Sequence, residues 1–388
     1  MNVPRRPRRH QVYSKQFVSM SIKTKIQWCD STVNPVMGCD GCELWPTFSQ
    51  LRKAVLRHLE EETNEPVDDR RRETVLRIIR ESGDLPTDLY HRRRELASDI
   101  LMVTLDETST REARESLARA IADPFRCYAG ILHTRHGYDD EKPGKITNPG
   151  YAEKFENPKL FPGRMAEAAR WRDLSGAYRA AKPWLDGLPR LIFVSDMGDA
   201  LSGDVPFEYL QDEIIANVMS LNGRRHIWLW LTKRPLRMAE FGEWLKGRGV
   251  AWPDNLVAMT SVTSAKTTGR IDQLRQVQCR HRGLSIEPLC ERVDLGLDGI
   301  DWAIVGGESG GGAFPFELEW ARCLRDQCLD QSIAFFVKQL GARPIENGQQ
   351  LPLLDAHGGD WSEWPEDLQL RELPVGFSKG MRIPPSIR

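Results

Sequence analysis

The chain has 388 residues, enough for one large α/β domain with an insertion or for two domains. Its formal net charge is −1, so no global field indicates a nucleic-acid partner, although a local basic groove is compatible with it. No apolar run approaches the roughly 20 residues that span a bilayer, and no secretory signal is present. Eight cysteines without such a signal predict a reducing cytoplasm and no membrane association.

The first predicted elements are a basic tail and a strand. Residues 1–20 begin with an arginine-rich stretch that lacks an apolar pattern, so they are predicted to be a disordered tail. The segment KIQWCDSTVNP (25–35) predicts a first strand and its loop. Cys39 and Cys42 follow in Cys-x-x-Cys spacing, which lets two thiolates reach one metal or one cluster.

Residues 46–126 predict a helical insertion after the first strand. Four segments of this stretch space apolar residues three or four apart, as amphipathic helices do, and predict three or four helices. Cys127 follows immediately. If residues 43–126 are excised, Cys39, Cys42 and Cys127 form a three-cysteine cluster at the first loop.

From residue 190 the pattern changes to short apolar runs separated by helical stretches. The six runs are 190–196, 226–235, 255–262, 283–289, 301–310 and 333–341. They are too short for buried helices and almost continuously apolar, which is typical of parallel strands covered on both faces. The sequence therefore predicts an α/β fold: a parallel (β/α) barrel or partial barrel of about 6–8 strands, with its core in 21–45 and 127–345. Residues 346–388 are predicted to be an irregular C-terminal segment.

Polar residues follow each of these predicted strands. In a parallel barrel the carboxyl ends of the strands carry the chemistry, because every βα loop opens there. The side chains at this rim that we predict to be catalytic are Asp196, Lys233, Glu287, Glu308 and Lys338. The glycine-rich segment 306–312 also follows a strand, so its backbone N–H groups are suited to contact a ligand closely.

Three cysteines leave two kinds of site open. Without a fourth protein ligand, three thiolates suit a [4Fe–4S] cluster with one open iron. With His133 or His136, on the helix predicted after Cys127, they suit a structural zinc site.

Several motifs resemble a phage-associated family known as three-Cys-motif proteins. The motifs are KIQWCDSTVNPVMGC, CYAG, LTKRP, RIDQL, LSIEPL, DWAIVGGESG, WARCLRDQC and FFVKQLG, and the resemblance covers about 21–45 and 127–365. The family is largely of unknown function and is thought to resemble radical S-adenosylmethionine enzymes. Its three cysteines correspond to Cys39, Cys42 and Cys127, although here an 84-residue insertion separates the second from the third.

The resemblance implies a [4Fe–4S] cluster and S-adenosylmethionine as cofactors, with an electron from the cluster cleaving the sulfonium. Candidate contacts of S-adenosylmethionine are Ser261, Tyr128, Gly306, Gly307 and Glu308. The phage association and the rim cations favour a nucleic acid or nucleotide substrate, and the family implies a methyltransferase-like protein partner. The alternative hypothesis is a zinc-stabilised protein without catalysis that binds nucleic acid or docks a partner.

Overall fold

The computed structural model describes residues 20–104, 111–137 and 149–378. The predicted basic tail, apart from Met20, lies outside these residues. The strands are β1 (Ser31–Val33), β2 (Val36–Met37), β3 (Lys159–Leu160), β4 (Leu191–Val194), β5 (Ile227–Thr232), β6 (Leu256–Ser261), β7 (Arg282–Ile286), β8 (Trp302–Gly306), β9 (Phe316–Glu317), β10 (Ala334–Gln339), β11 (Pro344–Glu346) and β12 (Gln349–Gln350).

Seven of these strands form one parallel sheet in the order β1-β4-β5-β6-β7-β8-β10. The order in the sheet is the order in the chain, so each crossover adds the next strand on the same side, as in a barrel. The sheet curls into a half-barrel flanked by helices, and β1 does not pair with β10. The predicted α/β partial barrel is confirmed.

The first strand is shorter than the predicted segment 25–35, because only Ser31–Val33 join the sheet. The backbone carbonyl oxygens of Thr24, Ile26 and Cys29 instead accept hydrogen bonds from Lys182 Nζ at 2.8, 2.6 and 2.6 Å. The first strand therefore lies within the segment that was predicted to hold a strand and its loop, and the residues before it are fixed by Lys182.

Helices occupy the segments between the strands. They are α1 (Phe48–Thr63), α2 (Asp69–Glu81), α3 (Pro86–Thr104), α4 (Arg111–Ala122), α5 (Tyr128–His136), α6 (Arg164–Ala169), α7 (Phe207–Leu210), α8 (Ala216–Met219), α9 (Pro235–Lys246), α10 (Arg270–Arg275), α11 (Leu318–Asp330) and α12 (Val375–Ser378). A π-helical turn joins α7 to α8. Helices α1–α4 lie where the sequence predicted three or four amphipathic helices. In the described residues, no helix combines the length and apolar character needed to cross a membrane.

The sheet is covered on both faces. Trp228 and Trp230 share the outer face, where they pack in the core that the sheet forms with its helices. The concave face is filled at its lower end by aromatic rings, including Trp28, Phe193 and Trp302. The ring centroid of Trp28 lies 4.6 Å from that of Phe193 and 6.3 Å from that of Trp302. These packed rings form the floor of the half-barrel.

Helices α1–α4 pack in a separate hydrophobic core. This core also contains Cys39, Trp45, Ala129 and Phe155. The helices therefore pack directly on the loop that carries the first two cysteines.

The C-terminal segment pairs with the free edge of β10. The Val337 N–H donates to the Leu370 carbonyl oxygen at 2.8 Å. The Arg371 guanidinium donates to the carbonyl oxygens of Val337 and Lys338, at 3.2 and 3.1 Å, and lies 4.0 Å from the ring centroid of Trp184. These contacts cover an edge whose backbone groups would otherwise be exposed.

Candidate functional site

The cysteine loop, residues 38–45, follows β2 and turns at two glycines. Gly38 and Gly41 have φ angles of +90° and +99°, which L side chains rarely adopt. Gly38 also approaches the backbone of Phe155, where an added Cβ would lie 2.5 Å from the carbonyl oxygen. The Cys39 N–H donates to that same oxygen at 2.7 Å. Backbone contacts thus fix the position of the first cysteine.

Cys127 precedes α5, and hydrogen bonds join it to the cysteine loop. The N–H groups of Arg126 and Cys127 both donate to the Leu44 carbonyl oxygen, at 3.0 and 2.8 Å. Cys42 and Trp45, on either side of Leu44, exchange two backbone hydrogen bonds of 3.2 and 3.1 Å. Cys42 and Cys127 are therefore held in adjacent segments although 85 positions separate them in the chain.

Burial raises the pKa of all three thiols, to about 11 for Cys39. Smaller electrostatic effects act in the same direction: Cys42 raises the pKa of Cys39, Cys127 that of Cys42, and Cys39 that of Cys127. The positive charge of Lys233 lowers the pKa of both Cys42 and Cys127. The thiols are protonated at neutral pH, so a bound metal or cluster must displace their protons.

Arg234 holds the first half of the cysteine loop. One guanidinium nitrogen lies 3.5 Å from Cys39 Sγ and 3.2 Å from a carboxylate oxygen of Asp199. The other donates to the Gly41 carbonyl oxygen at 2.8 Å and forms an ion pair with Asp40. The loop is thereby tied to the carboxyl end of β5.

Arg270 holds the second half of the same loop. Its guanidinium pairs with the two carboxylate oxygens of Glu43 at 2.9 and 2.7 Å, and Thr263 Oγ1 donates to Glu43 at 3.0 Å. Burial alone would raise the pKa of Glu43, but Arg270 lowers it to about 2. Arg270 also donates to the Ser261 carbonyl oxygen at 3.1 Å, which ties the loop to the end of β6.

The concave face changes from apolar to polar toward the carboxyl ends of the strands. Side chains alternate between the two faces along a strand. A residue two positions after an apolar residue of the concave face therefore lies on the concave face as well. By this alternation the concave face carries Lys233, Ser261, Ser285, Gly306 and Lys338. This placement gives the half-barrel a polar mouth above an aromatic floor.

Glu287 and Lys338 form an ion pair across the mouth. Lys338 Nζ lies 2.8 Å from Glu287 Oε1, and Ser285 Oγ donates to Glu287 Oε2 at 3.0 Å. Strand β8 lies between the two partners, and Gly306 at its end would bring a Cβ to 3.1 Å from Glu287 Oε1. Gly306 therefore leaves room for the ion pair to cross β8.

Glu308 is bound to the residue beside Cys127. Its carboxylate pairs with Arg126 at 3.1 Å and accepts a hydrogen bond from the Phe314 N–H at 2.9 Å. The Arg126 guanidinium lies 3.8 Å from the centroid of the Phe314 ring. At Gly307 an added Cβ would lie 2.2 Å from a backbone oxygen, so this position is closely packed. The loop after β8 thus contacts the cysteine site.

Asp196 and Tyr128 meet at the end of β4. Asn34 Nδ2 donates to Asp196 Oδ1 at 2.6 Å, and burial raises the pKa of Asp196 to about 6. The half-exposed Tyr128 donates its hydroxyl to the Asp196 backbone carbonyl oxygen at 2.5 Å. Desolvation of the hydroxyl raises the Tyr128 pKa, and the negative charges of Asp196 and Cys127 add to this effect. Ser261 is buried at the end of β6.

Three thiols with cationic side chains beside them are a donor set of the kind that can bind an anionic iron–sulfur cluster. Within the described residues, no group of three or more His, Cys, Asp and Glu side chains is placed to hold one metal ion. His133, predicted as a zinc ligand, is fully buried and lies 5.4 and 5.7 Å from the ring centroids of Tyr151 and Phe155. A [4Fe–4S] cluster is held by Cys thiolates, and the positive charges of Lys233 and Arg234 beside the thiols suit such an anionic group.

Sequence reasoning missed several residues that position this site. They are Asn34, Arg126, Asp199 and Arg270. Arg126 directly precedes Cys127, and Asp199 follows β4 by a few residues, so proximity to a predicted ligand or strand end was the available signal.

The fold defines a parallel α/β half-barrel protein, in which the segments that carry Cys42 and Cys127 are hydrogen-bonded to each other. The chain belongs to the family described as "Protein of unknown function (DUF5131)", which it matches over residues 121–365. The matched residues include Cys127 and the sheet strands from β4 to β10, and they begin after Cys39 and Cys42. No curated protein and no solved structure matches the chain.

Proposed function

We propose that this protein is an iron–sulfur enzyme of the radical S-adenosylmethionine type, with Cys39, Cys42 and Cys127 holding a [4Fe–4S] cluster. The observation that carries this proposal is the set of hydrogen bonds that joins Cys127 to the cysteine loop across the intervening helices. The motif resemblance to phage-associated three-Cys-motif proteins supports the same assignment.

The proposed chemistry depends on the polar mouth of the half-barrel. The bound cluster would supply the electron that cleaves the sulfonium of S-adenosylmethionine. Tyr128 and Glu308 border the cysteines and are the protein groups best placed to orient this cofactor. The Glu287–Lys338 ion pair lies further along the concave face, where it can contact a polar substrate and exchange a proton with it.

The favoured substrate is a nucleic acid or a nucleotide. The support is chemical: Lys233 and Lys338 on the concave face suit anionic phosphate, and the motif resemblance adds the phage association. A methyltransferase-like protein is the proposed partner, and the cytoplasm the proposed location. The described cysteines are free thiols, as a reducing compartment requires.

Anaerobic purification followed by an absorption spectrum tests the cluster. We expect a brown protein that absorbs near ~400 nm and is bleached by dithionite. Cys127→Ala should abolish the band, whereas Cys323→Ala, which changes a cysteine on the distant helix α11, should retain it. A colourless protein with one stoichiometric zinc would refute the cluster and support the zinc-stabilised docking alternative.

Binding of S-adenosylmethionine is tested separately on the reduced protein. We expect its addition to change the electron paramagnetic resonance spectrum, because the open iron gains a ligand. An unchanged spectrum at saturating S-adenosylmethionine would leave an iron–sulfur protein but would contradict the radical enzyme assignment.

A further inference from the structure

Arg234 contacts one of the three cysteine sulfurs directly. Its Nη1 atom lies 3.5 Å from Cys39 Sγ, a hydrogen-bond distance for a sulfur acceptor. Its Nη2 atom donates to the Gly41 carbonyl oxygen at 2.8 Å and pairs with Asp40. The guanidinium is therefore fixed by contacts on both nitrogens.

Asp199 holds this guanidinium in place. It is buried, and its carboxylate lies 3.2 Å from Arg234 Nη1. The same carboxylate accepts hydrogen bonds from Thr232 Oγ1 at 2.9 Å and from the Leu201 and Lys233 N–H groups at 3.0 Å. These donors belong to β5 and to the turn after β4, so a rigid part of the half-barrel orients Arg234.

We propose that Arg234, oriented by Asp199, is a positioning residue that raises the reduction potential of the cluster through its hydrogen bond to the Cys39 thiolate. This inference rests on the proposed function. Reduction of the cluster adds one electron and no bond forms or breaks, so the negative charge on the thiolates increases. A cationic donor at a thiolate stabilises the reduced form more than the oxidised form.

The test is a redox titration of the full-length protein loaded anaerobically with iron and sulfide. Dithionite supplies the electron, and the midpoint potential is followed by electron paramagnetic resonance. Arg234→Met is expected to lower the reduction equilibrium constant about tenfold. For a one-electron couple this is a fall of about 59 mV.

Arg270→Met is the matched control. Like Arg234, Arg270 is a cation that binds the cysteine loop, through Glu43. Arg270→Met therefore removes one positive charge beside the loop but leaves the hydrogen bond from Arg234 to Cys39 in place. We expect less than half of the shift seen for Arg234→Met. Equal shifts in the two variants, or no shift in Arg234→Met, would overturn the inference.

Asp199→Asn separates positioning from long-range charge. Loss of a negative charge alone would raise the potential, whereas loss of the support for Arg234 lowers it. We expect a lower reduction potential, and a higher one would overturn the inference.

If Arg234→Met does not fold or does not bind the cluster, Arg234→Lys takes its place, because lysine keeps the charge but has a single donor nitrogen. Its potential should lie below the wild-type value, and a wild-type value would overturn the inference. A wild-type protein that binds no cluster refutes the proposed function, and this inference with it.

Discussion

Replacing Gly130 by alanine is expected to displace Trp45 and to disturb the cysteine site. Gly130 lies in the first turn of α5, three residues after Cys127. An added Cβ would lie 2.4 Å from two ring carbons of Trp45, whereas non-bonded carbons prefer about 3.5–4.0 Å. Trp45 is 1% exposed, and its Nε1 donates to Glu156 Oε1 at 2.6 Å. The ring therefore cannot move by about 1 Å without breaking this contact.

The expected loss of stability follows from these contacts. Overpacking a core costs about 1–3 kcal/mol. A lost hydrogen bond to the half-buried Glu156 carboxylate costs about 1.5–3 kcal/mol, and alanine returns about 1 kcal/mol through helix propensity. We expect Gly130→Ala to lower the free energy of unfolding by about 1.5–5 kcal/mol. Because Trp45 exchanges hydrogen bonds with Cys42, the iron content should fall too.

Urea denaturation of the metal-free protein measures this effect, and Gly242→Ala is the matched control. Gly242 also lies in a helix and faces a tryptophan, but its nearest atom would be Trp252 Cε3 at 3.9 Å. The control should gain up to about 1 kcal/mol. If Gly130→Ala is as stable as Gly242→Ala, the packing argument is refuted.

Three further outcomes are expected from the same kind of measurement. Burial lowers the pKa of His133 to about 4 in the folded protein, whereas histidine in the unfolded chain titrates near about 6.5. As the pH falls below about 6.5, His133 is protonated in the unfolded chain before it is protonated in the folded one, so the free energy of unfolding decreases. His133→Phe should reduce the loss between pH 7 and 4.5 by roughly 2–3 kcal/mol in urea titrations, and equal losses would contradict this. The buried Asp30 carboxylate lies 2.8 Å from Arg179 Nε, and Arg179→Met leaves it without its cation. This substitution should lower the free energy of unfolding by about 3–5 kcal/mol, and a loss below about 1 kcal/mol would contradict the role of the ion pair. Gly306→Ala should cost about 1–3 kcal/mol by crowding Glu287, and wild-type stability would argue against that contact.

The sheet strands after residue 190 were predictable because each is a short apolar run followed by a polar residue. The spacing of apolar residues three or four apart, which local sequence sets, also located α1–α4. Within the predicted segment 25–35, local sequence did not show that only Ser31–Val33 join the sheet. The carbonyl groups of Thr24, Ile26 and Cys29 are directed instead to Lys182, which lies more than 150 residues away in the chain.

The three cysteines were found from their spacing, but the contacts that orient them were not. Arg234 meets Cys39 across 195 positions, and Arg126 meets Glu308 across 182. Such pairs depend on how the loops fold over the rim, and no local pattern encodes this. Gly306 was predicted to contact a cofactor from its position in a glycine-rich segment. The structure gives a second reason for a glycine there, because a side chain at this position would crowd the Glu287–Lys338 ion pair.

The central claim is that Cys39, Cys42 and Cys127 hold a [4Fe–4S] cluster. The most direct measurement is the iron and acid-labile sulfide content of the anaerobically reconstituted protein, beside Cys127→Ala. We predict about four iron and four sulfide per wild-type chain, and little of either in the variant. A wild-type chain that binds neither iron nor sulfide, or a Cys127→Ala chain that binds as much as wild type, would contradict the account.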